Sequence, residues 1–460
     1  MRGQLRAFVI GAATSGAGKT TVTMAILAAL RRRGLVVQPF KAGPDFIDPG
    51  HHAVAAGRPS HNLDTWMLSA DENRAIFQRH AAGADVAVVE GVMGLHDGFG
   101  PLDDTGSTAH LAKLLGLPVA LVVDAKGMAG SIAALAGGFV GFDPALGFVG
   151  VIANRVGGPG HAAILGQALA GRSGLPPFLG GLVKEPGLAM PERHLGLITA
   201  DEGAFDAAKL ARLADWAEQG LDLDALLAGA AELDLIPLDE PAPPTRPVVT
   251  IGVARDAAFC FYYAENLRRL RQAGATLKFF SPIDDPAPPP GLDGLYLGGG
   301  YPELFAHKLS QNQTMRRAIA RAVADGLPVL AECGGMLYLG QAVVDKSGQG
   351  WPMAGALDIV TRMGDKLSGL GYRQATFTAD NPLGPAGTTG RGHEFHYSSI
   401  DEGASGAQAG VFELRGRAGG PARLAGYRVG NAVASYMHFH FGGNPDLARN
   451  FVEFCRKGQP

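Results

Sequence analysis

Residues 7–30 read AFVIGAATSGAGKTTVTMAILAAL, in which an apolar run leads through a glycine-rich loop into a segment with an alanine and leucine face. The apolar run predicts a buried strand over Ala7–Gly11, and the periodicity and basic end of Thr20–Arg33 predict a helix. The loop between them lies at a helix N-terminus, where backbone N–H groups and the helix dipole favour an anion. This stretch therefore predicts an α/β fold with a phosphate site.

The loop matches a variant of the phosphate-binding pattern. The spacing G-x-x-x-x-G-K-[ST] fails at Ala13, but residues 16–21 fit G-x-G-K-T-T. Glycines let the backbone close around phosphates, while Lys19 supplies a positive charge and Thr20 a hydroxyl for Mg²⁺. The amide of Asn154, which follows a later strand, is a candidate for reading a nucleotide base. The predicted ATP-binding residues are Ser15, Gly16, Ala17, Gly18, Lys19, Thr20, Thr21 and Asn154.

Carboxylates follow two further apolar runs of the first half. Glu90 ends the run DVAVVE, and the segment KAGPDFIDP begins after the second predicted strand. Ligands of open α/β sheets bind at the carboxyl ends of strands, so these groups converge on one edge. Oxygen ligands suit Mg²⁺. The predicted metal ligands are Thr20, Asp45 and Glu90, and the predicted supporting residues are Lys41, Asp48 and Asp97.

The pattern of short apolar runs and helical segments occurs twice, which is typical of two parallel sheets covered by helices. Between the two series lies IPLDEPAPPTRP, residues 236–247, whose five prolines favour an extended linker. We therefore predict two doubly wound α/β domains, residues 1–235 and 248–460. The other predicted strands are Val36–Phe40, Asp85–Glu90, Pro118–Asp124, Phe148–Asn154, Val249–Arg255, Leu277–Ser281, Gly294–Leu297 and Pro328–Glu332.

Composition excludes several classes of protein. Hydrophobic residues make up 47% and charged residues 18% of the 460 residues, which excludes a disordered chain. A net charge of −3 argues against a nucleic-acid partner, because phosphate-backbone binding needs an excess of Lys and Arg. No window approaches the roughly 18 apolar residues of a membrane span. Three sparse cysteines favour a reducing, cytoplasmic compartment.

The second half carries a candidate nucleophile. The segment LAECGG places Cys333 at a predicted strand-to-helix turn, and the residue after it, Gly334, offers an unobstructed backbone N–H to an oxyanion. Gly299 and Gly300, in the triple glycine after the preceding strand, offer a second set of donors. A thiol needs a base, and the late segment YMHFHF supplies two histidines. These residues predict a catalytic thiol site.

With both sites in view, the chain resembles the cobyrinic and hydrogenobyrinic acid a,c-diamide synthases of corrinoid biosynthesis. The first half looks like dethiobiotin synthetase, with a P-loop NTPase-like fold, and the second like a class I glutamine amidotransferase. The resemblance is carried by KAGPDFIDPGHH from Lys41, EGVMGLHDG from Glu90, RDAAFCFYYAENL from Arg255, GGGYPE from Gly298 and GHEFHYS from Gly392.

The resemblance implies an ATP-dependent amidation that draws ammonia from glutamine, with Mg²⁺ as cofactor and a corrinoid macrocycle, glutamine and ATP as the molecules bound. It also implies that Cys333 and His438 are the catalytic pair. Relatives of this class carry a His-x-Glu pair, whereas His440 stands where the Glu is expected. His440 is therefore interpreted as a supporting residue. A homodimer is one assembly compatible with the sequence.

Other interpretations stay open at this point. Cobyric acid synthase and sirohydrochlorin a,c-diamide synthase share the two-domain plan, and the segments Asp45–Asp48 and Tyr262–Asn266 favour the a,c-diamide enzyme. An ATP-dependent switch of the MinD or ParA type belongs to a different class of protein. It would leave Cys333 and His438 unexplained, and glutamine-dependent release of glutamate distinguishes it from the enzyme.

Overall fold

The computed structural model describes residues 4–100, 102–188, 190, 192–193, 196–197, 199–200, 203, 205–236, 238, 244, 246–401 and 408–458. The chain forms two compact units, Met1–Asp239 and Glu240–Pro460. The proline-rich linker predicted at 236–247 lies mainly outside the described residues, at 237, 239–243 and 245.

The first unit alternates strands and helices over most of its length. Its elements are β1 Leu5–Ala12, α1 Lys19–Arg32, β2 Val37–Ala42, α2 Ile47–Ala56, β3 His61–Leu63, α3 Ala70–Ala81, β4 Val86–Glu90, α4 Thr108–Leu115, β5 Val119–Asp124, α5 Ser131–Phe142, β6 Phe148–Val156, α6 Pro159–Ala170, β7 Phe178–Val183, a 3₁₀ turn Pro186–Leu188, β8 Glu192–Arg193, β9 Gly196–Leu197, α7 Ala207–Gly220, α8 Leu223–Ala228 and β10 Ala231–Leu233.

The main sheet of this unit is parallel in the order β3-β2-β4-β1-β5-β6-β7, with β10 added antiparallel to the start of β1. The pairings of β4 and β5 with β1 bring Glu90 level with Ile10 and Val122 level with Ala12. The three strands β1, β4 and β5 therefore end beside the glycine loop that follows β1. Parallel strands covered on both faces are continuous apolar runs, and on this signal β1, β2, β4, β5 and β6 were predicted, whereas β3 and β7 were not.

The second unit begins in the same manner and then changes character. Its elements are β11 Val249–Ala254, α9 Ala264–Gln272, β12 Ala275–Phe280, β13 Gly294–Leu297, α10 Ala306–Gln311, α11 Gln313–Ala324, β14 Val329–Glu332, α12 Gly334–Leu339, β15 Ala342–Val344, β16 Gly350–Pro352, β17 Val360–Met363, β18 Gly369–Phe377, β19 Thr389–His396, β20 Ser398–Ile400, β21 Gln408–Gly416, β22 Gly419–Val429, β23 Ala432–Ser435, β24 His438–Phe439 and α13 Asp446–Lys457.

One sheet of ten strands organises this unit, in the order β12-β11-β13-β14-β23-β22-β21-β18-β19-β24. The pairs from β12 to β23 are parallel, and those from β23 to β24 are antiparallel. A four-stranded sheet, β16-β15-β17-β20, forms separately. The expected doubly wound sheet is therefore present, extended by an antiparallel region.

Each sheet carries its own apolar core. In the first unit α1 packs against the sheet with Val22, Ile26 and Leu30 completely buried. In the second unit Phe439, Phe441 and Phe451 are buried in one apolar cluster that includes residues of both the parallel and the antiparallel strands. Among the described residues, no helix is long and apolar enough to cross a membrane.

Candidate active sites

The glycine loop of the first unit has backbone conformations that require glycine. Gly16 and Gly18 have φ angles of 75° and 91°, in the left-handed region that other residues disfavour. Gly18 immediately precedes α1, and a Cβ added to it would lie 2.3 Å from Nδ2 of Asn154. The loop can therefore fold tightly against the end of β6 only with glycine at this position.

Asn154 and Arg155, on β6, contact the glycine loop across the end of β5. Asn154 Nδ2 donates to the carbonyl oxygen of Ala17 at 2.8 Å, and its Oδ1 accepts the backbone N–H of Arg155. The Arg155 guanidinium bonds the carbonyl oxygen of Gly16 at 2.9 Å and also pairs with Asp124. The Asn154 amide thus contacts the loop backbone, whereas the base contact predicted for it stays a prediction.

Lys19 joins the glycine loop to the loop after β4. Its Nζ donates to the carbonyl oxygen of Met93, a residue with a left-handed φ of 52°. Burial, and then the positive charge of Lys41, lowers the pKa of Lys19 below its ordinary value. The Lys19 ammonium is therefore poorly solvated, and it can interact strongly with an anion at the glycine loop.

A buried cluster of charged groups lies at the carboxyl ends of β2 and β4. Lys41 Nζ is 2.7 Å from Asp48 Oδ2 and 2.9 Å from Glu90 Oε1. The Thr20 hydroxyl donates to Glu90 Oε1 at 2.8 Å and lies 3.4 Å from Asp48 Oδ2. The structure thus brings together a loop residue and three of the residues predicted to support the phosphate site.

The charges in this cluster depend on one another. Burial would lower the pKa of Lys41, but Asp48 and Glu90 outweigh it and hold that pKa well above its ordinary value. Burial would likewise raise the pKa of Glu90, but Lys41 and His52 hold it well below its ordinary value. For Asp48, burial and the charge of Asp45 raise the pKa to about 7. Glu90 is thus the permanent anion of the cluster.

His52 is a member of the cluster that the sequence reasoning missed. It is completely buried, and its Nε2 lies 2.6 Å from Glu90 Oε2, while its Nδ1 lies 3.4 Å from the Ser60 hydroxyl. The sequence did contain a signal for this role, because the segment PGHH directly follows Asp45 and Asp48. His52 lies four residues after Asp48, which is about one helical turn, so the two side chains share one face of the helix.

The remaining acidic candidates have local structural contacts. Asp45 Oδ1 accepts the backbone N–H groups of Ile47 and Asp48 at 2.7 and 3.0 Å, so it caps the start of α2. Asp97 Oδ2 accepts the N–H of Gly94 at 2.9 Å and closes the turn after β4. Asp48, by contrast, keeps a buried Oδ1 without a hydrogen-bond partner among the described residues.

In the second unit Cys333 lies at a sharp turn between β14 and α12. Its φ of 47° and ψ of −104° are strained for a side chain with a Cβ, and its N–H donates to the Ser435 carbonyl at 2.7 Å. Such strain persists only where surrounding contacts over-determine it, and it is characteristic of reactive sites. The turn presents the thiol beyond the end of the strand.

The triple-glycine loop touches both the nucleophile's turn and the candidate base. A Cβ on Gly334 would lie 3.1 Å from the backbone N of Gly300, and one on Gly299 would lie 2.4 Å from Cε1 of His438. Any side chain at these two glycines would force the groups apart. The loop therefore packs closely against Gly334 at Gly300 and against His438 at Gly299.

His438 is surrounded by aromatic and imidazole side chains. Its ring stacks on that of His393 with centroids 5.0 Å apart, and the hydroxyl of Tyr263 lies 2.9 Å from His393 Nδ1. Burial, followed by the charges of His393 and His396, holds the pKa of His438 well below its ordinary value. At neutral pH His438 is uncharged, the form that a base requires.

His440 occupies a separate buried position. Its Nδ1 accepts the N–H of Gly442 at 3.1 Å, and its ring packs 4.5 Å from that of Tyr263. Burial lowers its pKa to about 4.

Burial, with the charge of Glu303 as the next cause, raises the pKa of Cys333 to about 12, so the resting thiol keeps its proton. Its activation therefore requires a base in contact with it.

Comparison with protein families places a different domain on each unit. Residues 8–197 match the CobQ/CobB/MinD/ParA nucleotide binding domain. Residues 250–446 match the CobB/CobQ-like glutamine amidotransferase domain. The first match contains the glycine loop and the buried charged cluster, and the second contains Cys333, the triple glycine and both histidines.

Curated relatives match along almost the whole chain. A cobyrinate a,c-diamide synthase of Syntrophotalea carbinolica is 47% identical over 452 residues, covering 97% of this chain and 98% of the relative. One of Dehalococcoides mccartyi is 42% identical over 461 residues, with the same coverage. A hydrogenobyrinate a,c-diamide synthase of Streptomyces coelicolor is 41% identical and covers 97% of each chain.

Proposed function

The chain belongs to the family of cobyrinate and hydrogenobyrinate a,c-diamide synthases, and from this premise we propose how its two sites divide the work. The reaction is the ATP-dependent, glutamine-hydrolysing amidation of the a and c acetate carboxylates of a corrinoid. The observation that carries the assignment is the presence, in one chain, of a phosphate loop and of a second site, in which the strained thiol turn and a neutral histidine both lie against the triple-glycine loop.

The first unit activates the acceptor. ATP binds with its phosphates in the loop 15–21, where backbone N–H groups and Lys19 interact with them. A carboxylate oxygen of the macrocycle attacks the γ-phosphorus, the bond to ADP breaks, and an acyl phosphate forms. Hydroxide is a poor leaving group, so this step makes the later displacement by ammonia feasible.

The buried cluster has the donor set that Mg²⁺ needs. Thr20 Oγ1, Glu90 and Asp48 supply oxygen atoms, and the buried Asp48 Oδ1 lacks a hydrogen-bond partner among the described residues. We therefore propose that Thr20, Glu90 and Asp48 would hold Mg²⁺, and the ligand role predicted for Asp45, which caps α2 through Oδ1, stays a prediction. When bound, the ion neutralises charge on the transferring phosphoryl group. Lys41 and His52 hold Glu90 in position.

The second unit generates ammonia. The Cys333 sulfur attacks the side-chain amide carbon of glutamine while His438 takes the thiol proton, and the backbone N–H groups of Gly300 and Gly334 stabilise the oxyanion. His438 then returns the proton to the departing ammonia, leaving a glutamyl thioester. Water attacks that thioester, glutamate leaves, and the thiol is restored. Ammonia displaces phosphate from the acyl phosphate, and an amide forms.

Mass spectrometry of the products tests this function. The protein is incubated with ATP, glutamine and either cobyrinic or hydrogenobyrinic acid, and each amidation replaces one hydroxyl group by an amino group. We expect products with two amides, together with glutamate, ADP and phosphate. A product with more than two amides would indicate a cobyric acid synthase, and absence of glutamate would overturn the glutaminase assignment. A cytoplasmic location and a homodimer stay predictions.

A further inference from the structure

One edge of β24, the strand that carries His438, is not paired with another strand among the described residues. β24 is the last strand of its sheet, paired on one side with β19 through His393 opposite His438. The backbone N–H of Phe439 points away from β19, and so it needs an acceptor elsewhere. A buried backbone N–H without an acceptor would be costly, since folding removes it from water.

Two side chains satisfy this edge in place of a further strand. Glu332 Oε1 accepts the N–H of Phe439 at 2.9 Å. Asn266 donates from Nδ2 to the Phe439 carbonyl oxygen and accepts the N–H of Phe441 at Oδ1, both at 2.7 Å. Glu332 and Asn266 are buried. The segment from His438 to Phe441 therefore depends on these two side chains for its position.

Of these two side chains, only Glu332 is adjacent in the chain to the nucleophile. It is the last residue of β14 and immediately precedes Cys333, while the N–H it accepts belongs to the residue immediately after His438. Its second oxygen accepts the hydroxyl of Tyr296, on the adjacent strand, at 2.7 Å. A single side chain thus connects the nucleophile's turn to the base's strand, one residue from each.

We propose that Glu332 is a positioning residue of the glutaminase site, which holds His438 at a fixed place relative to Cys333. One Glu332 oxygen accepts the Phe439 N–H and the other accepts the Tyr296 hydroxyl. Because both oxygens are engaged in this way, the side chain acts by holding the backbone of β24 and takes no part in proton transfer. The inference rests on the proposed glutaminase chemistry. A displacement of about 1 Å between reacting groups can cost about 100-fold in rate, so loss of this positioning should lower kcat by about that factor.

The contacts indicate that Glu332 must supply a correctly placed hydrogen-bond acceptor, and that its negative charge is not required. Both partners are neutral donors, and the side chain has no cationic partner among the contacts described for it. A glutamine at this position can still accept the Phe439 N–H through its amide oxygen, and its NH₂ group can face the Tyr296 oxygen. The conservative amide should therefore rescue activity that an apolar side chain of similar length loses.

The test compares Glu332→Met, Glu332→Gln and Tyr296→Phe in the full chain. We measure kcat and KM for glutamine hydrolysis, the pH profile of Cys333 alkylation by iodoacetamide, and ammonia-dependent amidation. We expect Glu332→Met to lower kcat by about 100-fold with little change in KM, and to slow alkylation near neutral pH. Glu332→Gln and Tyr296→Phe should stay within about fivefold of the parent, because each keeps an acceptor for Phe439.

The outcomes separate this inference from the proposed function. If the parent chain releases no glutamate, the proposed function fails. If the parent is active and Glu332→Met keeps its kcat, or if Glu332→Gln is as inactive as Glu332→Met, the positioning role by acceptor geometry is wrong. A far-ultraviolet circular dichroism spectrum and a thermal unfolding curve equal to those of the parent show that the variant is folded. If Glu332→Met is unfolded, the shorter Glu332→Asp replaces it, and normal kcat in that variant would overturn the inference.

Discussion

Replacement of Glu90 by Gln removes the negative charge of a completely buried side chain without a large change in volume. Glu90 accepts three hydrogen bonds, from Thr20 at 2.8 Å, Lys41 at 2.9 Å and His52 at 2.6 Å. An amide cannot satisfy three donors with one oxygen, and Lys41 would retain a single carboxylate partner. Breaking a buried ion pair by removing one partner costs about 3–5 kcal/mol, which is the destabilisation expected for the first unit.

Tryptophan fluorescence during urea unfolding measures this loss. The chain has three tryptophans, and a Trp351→Phe background leaves Trp66 and Trp216, both in the first unit. In that background we expect Glu90→Gln to lower the free energy of unfolding of the first unit by about 3–5 kcal/mol. Glu232→Gln, at an exposed ion pair with Arg6, is the matched control and should change it by less than about 1 kcal/mol.

A double-mutant cycle identifies the source of the loss. If the cost comes from an unpaired Lys41, then Lys41→Met combined with Glu90→Gln should cost about 1–3 kcal/mol less than the two single changes added together. ATP-dependent synthesis should fall by orders of magnitude, whereas glutamine hydrolysis should be affected much less. Strict additivity, or a loss below about 1 kcal/mol for Glu90→Gln, would refute the reasoning about the buried cluster.

Three further predictions concern the second unit. Cys333→Ala should abolish glutamine-dependent synthesis and leave synthesis from ammonium salts, since the two chemistries lie on different units; loss of both in a folded variant would contradict a dedicated glutaminase site. His438→Asn should suppress glutamine hydrolysis and slow thiol alkylation, while His440→Asn should keep measurable hydrolysis; the reverse ranking would make His440 the base. Burial raises the pKa of Glu332 from 4.5 to about 7, so this group stabilises the folded state below pH 4.5 and the stabilisation is lost as pH rises through about 7. Because glutamine does not titrate, thermal unfolding should show Glu332→Gln gaining stability relative to the parent over that range, by about 3 kcal/mol at most, and a constant difference would contradict the raised pKa.

Local sequence patterns were enough to predict most of the parallel strands of both units, although β3, β7 and β23 were missed. The predicted strands Gly294–Leu297 and Phe148–Asn154 correspond to β13 and β6, and the predicted helix Thr20–Arg33 corresponds to α1. Strands buried on both faces are continuous apolar runs bounded by glycine or proline, and this signal is local. The glycine loop and the position of Cys333 after β14 were equally readable, because each depends on residues adjacent in the chain.

Tertiary structure alone decided the contacts between distant segments. The strands from β18 to β22 carry a weaker alternating pattern, so their antiparallel arrangement was not predicted. His52 joined Glu90, and Glu332 joined Phe439, across 38 and 107 residues of sequence. Hydrogen bonds of this kind depend on distances of a few tenths of an ångström between separate elements, and residue spacing carries no information about them.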